Sequence, residues 1–381
     1  MLRHVYGEWP CGEVSGGEMA GELFVDVAGV NSIYNQLQRA GDSADDALSY
    51  VKQHCDFGIN AQGWLMLFAR PHEKAYEQMT TALSRIQELS RSAATQVNMA
   101  QVEYSQTDLE AAAALDGSYP GAADPNVLAN SITQERLQLP ASHESFSDVG
   151  NPADHLVAPK DANAEFWSIN PLADLISPFA WLRQAAIWVF NHDPFEYWTE
   201  KFSGDWPSYI EAGVAMRKAG EAAGAIGDNL AAGAVAVPSV WRGNAAEGFQ
   251  DYELRLATGA RSLQETGNRL GDLYNQAADA VKNIYDVVAG LMMKLLDILL
   301  MISVGLAAGT ATFYTFAGAV VGFSVALSYA VYAWQVYDKI AKVYGDGEAI
   351  IKAIAAAIDA VEASAHITNM AKLEPYRHPG N

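Results

Sequence analysis

The chain predicts an all-α protein: two long antiparallel helical hairpins forming a four-helix bundle, followed by an apolar helical hairpin. Three observations carry that expectation. Apolar residues recur at steps of three and four through four long segments, the spacing of a helix face. Those segments fall into two pairs, each separated by a short turn-like stretch rich in Gly, Asn or Pro. Residues 298 to 337 then run without a charged side chain, 40 positions in all.

Residues 1–25 read as an N-terminal tail. The first hairpin spans 26–114. Val30, Ile33, Leu37, Ala44, Leu48 and Val51 mark one face of its first helix. Its second helix is expected to begin near Pro71, since proline is tolerated in a first turn. There the seam reads Tyr76, Met79, Leu83, Ile86, Ser90, Ala93, Val97, Ala100 and Tyr104, a heptad pattern. Residues 115–164 are rich in Pro, Gly, Ala, Ser and Asp and are expected to be a flexible linker. Residues 165–205 are dense in aromatics and broken by Pro171, Pro178 and Pro194. They read as a helical cap on the second hairpin, with a peptide- or lipid-binding groove as the alternative.

The second hairpin spans 206–297. Its first seam runs Tyr209, Ala212, Met216, Ala219, Ala223, Ile226, Leu230, Gly233 and Val237. Its second runs from Phe249 through Leu256, Leu263, Leu270, Leu273, Ala280 and Val287 to Leu291. Such a seam must pack against its own partner and the other hairpin. The uncharged stretch 298–337 is long enough for two bilayer spans. It holds GLAAG at 305–309 and GAVVG at 318–322, patterns that let helices approach closely. Tyr329, Tyr332, Trp334 and Tyr337 gather at its end like an interfacial belt. A hairpin buried in a bundle satisfies the same pattern, and both readings stand. Residues 338–381 read as a polar-faced helix to about Ala365 and a frayed tail, KLEPYRHPGN.

Composition narrows function. Asp plus Glu number 45 against 24 Lys plus Arg, a net charge of −21. No basic cluster is present to neutralise phosphates, so nucleic acid is not an expected partner. Two cysteines, Cys11 and Cys55, are too few for a disulfide framework and read as isolated thiols, with one bridge between them as the alternative. The eight histidines are scattered without metal spacing, and there is no GxSxG, P-loop or dinucleotide fingerprint. His192-Asp193 and HESFSD at 143–148 read as turns. No catalytic residue, metal or cofactor is expected. The first 24 residues lack the continuous apolar core of a secretory signal, so any export is expected to take another route.

Two motifs go further. VWRGNAAEGF, from Val240 to Phe249, places Trp241 and Gly243 between two long helices, with Ala245, Ala246 and Phe249 opening the second. YSQTD, from Tyr104 to Asp108, closes the first hairpin, and spacing i to i+4 puts phenol and carboxylate on one helix face. These residues resemble the WXG superfamily, the helical-hairpin proteins exported by type VII (ESX) secretion systems of actinobacteria and their relatives. In that family one hairpin carries YxxxD/E and its partner carries WxG. Here both halves lie on one chain, in the order of fused PE–PPE-like substrates. The first hairpin departs from the pattern, with Gly63-Trp64-Leu65 near its turn, and the second has no YxxxD/E.

The resemblance implies a composite export signal of Tyr104, Asp108, Trp241 and Gly243, read by the type VII secretion ATPase or channel. It implies a secreted or envelope-associated substrate that acts by oligomerisation or membrane insertion. Further implied partners are a second copy of the chain or a WXG partner, and a membrane. The alternative is an escort or structural component of the apparatus serving a separately encoded toxin.

Overall fold

The computed structural model describes residues 23–56, 62–139, 145–167, 177–311, 316–361 and 372–380. The protein is all-α. A short strand β1 (Phe24–Val25) precedes α1 (Val27–Cys55), which Asp26 caps through the Ala28 amide at 3.1 Å. A 3-10 turn at Gly63–Leu65 leads into α2 (Met66–Gln106). Then come α3 (Leu109–Asp116), α4 (Pro125–Gln138), α5 (Ala162–Trp167), α6 (Arg183–Phe190) and α7 (Pro194–Lys201). The second hairpin is α8 (Trp206–Ala236), strand β2 (Trp241–Arg242) and α9 (Asn244–Ala311). Helix α10 (Phe316–Ala360) returns along α9.

The two hairpins share an interface, chiefly α1 against α8, and form the bundle. The seam positions of α2 from Met79 to Ala100, and every seam position of α8, are buried as the spacing predicted. Helices α8 and α9 pack unusually close. A side chain at Gly220 would meet the Leu263 carbonyl and the Cα of Gly267, so glycine faces glycine where the backbones touch.

The long seam of α9 holds its expected register only in part. The expected positions Leu256, Leu263, Leu270, Ala277 and Ile284 are buried, but Tyr274, Val281, Val288 and Met292 are buried beside them, while Val287 is exposed. A heptad written over many turns lags a straight helix by about 20° per repeat. That lag brings positions beside the seam into the buried face as the helix lengthens. Tyr274 still meets α8, where its ring stacks on Tyr209; farther along, Tyr285 packs on Phe166 and Phe202 of the aromatic segment and Ile284 lies against Gly347 of α10.

Four other expectations are corrected. Helix α2 begins at Met66, so Pro71 lies inside it and is buried. The segment expected as a flexible linker docks on the bundle. Its α4 packs Leu128 and Ile132 against Val235 and Leu254, Asp148 pairs with Arg39 at 2.9 Å, and the amides of Val149 and Gly150 donate to Asn229 Oδ1. The boundary expected at 297/298 does not exist. Helix α9 crosses it unbroken for 68 residues, about 100 Å, and α10 crosses 337/338 in the same way. The tail expected to fray is anchored, with His378 2% and Tyr376 8% exposed.

The aromatic segment joins bundle and apolar arms. Trp167 stacks on both Phe202 and Trp206, Trp64 and Tyr344 close around them, and Phe190 and Trp198 pack on Tyr337. Pro194 opens α7 behind the Asp193 cap; Pro171 and Cys11 lie outside the described residues. Cys55 is a buried free thiol, pushed up to about 12 by burial.

Helix α9 is long and apolar enough to cross a membrane. Near its end Gly305 approaches Gly322 and Ala326 of α10, so the two arms touch at small residues. Among the described residues nothing covers the outer faces of the arms. Leu300, Met301, Val304, Leu327, Val331, Tyr332 and Trp334 are all exposed, Val304 at 54% and Val331 at 61%.

Candidate recognition site

The turn between α8 and α9 is built at the end of the bundle where α1 starts and α2 stops. Strand β2 pairs antiparallel with β1, placing Phe24 opposite Arg242 and Val25 opposite Trp241. The Asp26 amide donates to the Val240 carbonyl at 2.7 Å, and the Arg242 guanidinium lies over the Phe24 ring. The WxG turn is thereby tied to the entrance of the first hairpin.

Gly243 has φ +133°, a conformation that side-chain-bearing residues rarely adopt. A Cβ there would also collide with the Asp116 carboxylate. That carboxylate, buried and delivered by the end of α3, accepts from the amides of Asn244 at 2.8 Å and Ala245 at 3.0 Å. It caps α9 from more than a hundred positions away in sequence and satisfies two of the helix's free donors. The Asn244 side chain donates to the carbonyls of Asp116 and Tyr119. Glycine is needed at 243 because the capping acid comes from outside the turn.

The sequence motifs meet here in part. Tyr104 ends its seam against Trp241, with ring centroids 6.0 Å apart in an edge-to-face arrangement. Burial pushes the Tyr104 phenol up; Asp116 adds to the rise and the Trp241 indole N–H opposes it. Trp241 itself is 0% exposed, stacked on Phe249 and on His378. The indole closes the end of the bundle and presents no face to solvent.

Asp108 is where the expectation fails. Helix α2 stops at Gln106, and Thr107 is extended. Tyr104 and Asp108 therefore do not share a helix face. Asp108 is exposed and caps α3 through the Glu110 amide at 2.9 Å. The acid that reaches the Trp-x-Gly turn is Asp116.

Sequence reasoning missed Asp116, Tyr376 and His378. Asp116 sits in LDGSYPG, which reads as a turn; its ligands lie in another segment, so no local spacing marks it. Tyr376 and His378 alternate within the tail, two aromatic rings in an otherwise polar stretch, and that alternation was the available signal. Burial holds His378 toward its neutral form, against the pull of Asp116.

No family model, curated protein or solved structure matches this chain.

Proposed function

We propose that the chain is a non-enzymatic substrate of a type VII secretion system, exported through a signal assembled at the α2–β2 end of the bundle. The observation that carries this is the meeting of Tyr104 and Trp241, the halves of two motifs on different hairpins, in one ring contact. The last turn of α2 holds Tyr104 and strand β2 holds Trp241, and Asp108 supplies an exposed negative charge four residues after Tyr104. A partner ATPase or channel would read charge and shape there.

Asp108 gives the cleanest test. Asn is as good an N-cap as Asp, so Asp108→Asn keeps α3 and removes the charge. The expected result in the native host is loss of the protein from the culture filtrate, with unchanged intracellular level and circular dichroism. Wild-type export of Asp108→Asn rejects the assigned signal.

After export the apolar arms of α9 and α10 are the working part, and they act on a bilayer. The support is their bare outer face, which in water invites association. At a net charge of −21 the drive is apolar burial and not attraction to anionic lipid, and acid favours it by neutralising carboxylates. Purified protein is expected to float with phosphatidylcholine liposomes at pH 5 and less at pH 7. The variant Val304→Lys/Leu327→Lys/Val331→Lys alters only exposed positions and is expected to stay at the bottom of the gradient. Equal flotation of the two proteins rejects the membrane role. Concentration-dependent sedimentation of wild type without flotation assigns the same face to self-association.

A further inference from the structure

The last described segment, residues 372–380, contains no helix or strand, yet it lies across α2 and the first turns of α9. Its side chains alternate. Tyr376 and His378 are buried, while Glu374, Arg377 and Pro379 are exposed. Tyr376 packs against Phe249 and Tyr252, with ring centroids 5.3 and 5.4 Å away. His378 stacks on Trp241 and meets Tyr104 and Tyr119 edge-on. Backbone ties are sparse and go to side chains: Arg85 Nη2 donates to the Leu373 carbonyl at 2.6 Å, and the His378 amide donates to Gln96 Oε1 at 3.0 Å.

Alternate anchors on an extended backbone, with the other side chains in water, is the contact pattern of a peptide bound in a groove. A core element would be covered on both sides. Among the described residues none covers its outer side, where Glu374, Arg377 and Pro379 are exposed, and Lys372 and Leu373 form one wall of a cleft of about 670 Å³ lined by Leu128, Glu135, Leu254 and Arg255.

We propose that α2 and the start of α9 form a peptide-binding groove whose resident ligand is the chain's own residues 372–380. A partner that reads Trp241 does so by displacing them with an extended peptide of its own. That peptide must bring an aromatic ring to the Phe249–Tyr252 side and a flat ring or guanidinium to stack on Trp241. The export reading is the premise for what the partner is; the groove and its occupant stand on the contacts alone. The tail works as a competitive cover, held by a linked ligand's effective concentration, of millimolar order for a short tether.

The test uses full-length protein with Tyr376→Ser and His378→Ser, which frees the groove without touching a helix. A fluorescein-labelled nonapeptide of residues 372–380 is titrated in, with fluorescence anisotropy as the readout. Saturable binding to the double variant is expected, at least tenfold weaker binding to wild type, and none for the same peptide carrying serine at both anchor positions. Failure of the peptide to bind the double variant overturns the proposal. So does loss of the variant's cooperative helical unfolding, which would make the segment core. Hydrogen exchange on wild type gives an independent check. Amides of 372–380 are expected to exchange at least a hundredfold faster than those of α2 between Met79 and Ala100, and equal protection overturns the idea. Peptide binding reports on the groove, whereas export of Asp108→Asn reports on the secretion reading, so either can fail alone.

Discussion

Trp241→Ala is expected to cost about 3–5 kcal/mol of stability, the range for deleting a buried tryptophan. The indole is fully buried and contacts Tyr104, Phe249 and His378, so its removal opens a cavity that three rings line. Little can collapse into it, because β1, the Asp116 cap and the Gly243 turn fix the backbone on either side. Chemical denaturation monitored by circular dichroism measures the effect, with Trp241→Phe as a milder companion. A loss below 1 kcal/mol would mean that the indole is not sealed in solution. The size of the effect also bears on export: absence of Trp241→Ala from the culture filtrate would not by itself separate a lost signal from a lost fold.

Glu253→Leu is expected to do the opposite and stabilise by about 1–3 kcal/mol, the usual cost of an uncompensated buried polar group. Glu253 lies in α9 with 0% exposure, and neither carboxyl oxygen has a hydrogen-bond partner among the described residues. Burial raises its pKa well above 4.5. The folded state therefore keeps the proton while the unfolded chain gives it up. Below pH 4.5 both states are protonated and the group adds no pH dependence. As pH rises above 4.5 the unfolded state ionises first, and stability falls until the folded carboxyl ionises as well. Thermal melts from pH 4 to pH 8 should show wild type losing stability over a span where Glu253→Leu loses less. Parallel curves would place a partner beside the carboxyl in solution.

Much of the fold was legible because helices announce their buried face locally. The seam of α8, and that of α2 from Met79 to Ala100, could be read to the residue, since the apolar spacing marks whichever face packs. Helix α9 could not. Its neighbours change along its length, and Tyr274, Val281 and Val288 join the core beside the expected positions Ala277 and Ile284. The apolar arms were visible in composition but not their ends, because a helix does not stop where its charge content changes. At the site, Tyr104 and Trp241 were marked by local motifs. Asp116 and His378 were not, since each acts on a turn far away in sequence. Asp108 misled for a related reason: a spacing of four implies one face only while the helix lasts, and α2 stops at Gln106.

The cover on Trp241 also imposes an order in time. Its floor comes from β1 and α2, made first; the indole and the Asn244 cap follow; Tyr376 and His378 are synthesised later still. At ribosomal rates the interval between Trp241 and His378 is on the order of ten seconds. Throughout it, a nascent chain can hold a finished bundle end with a bare indole. A chaperone or escort that binds then meets no competitor, whereas one that arrives after release meets a closed site. Newly made and mature copies of one sequence would thus differ to a partner, without any modification to tell them apart.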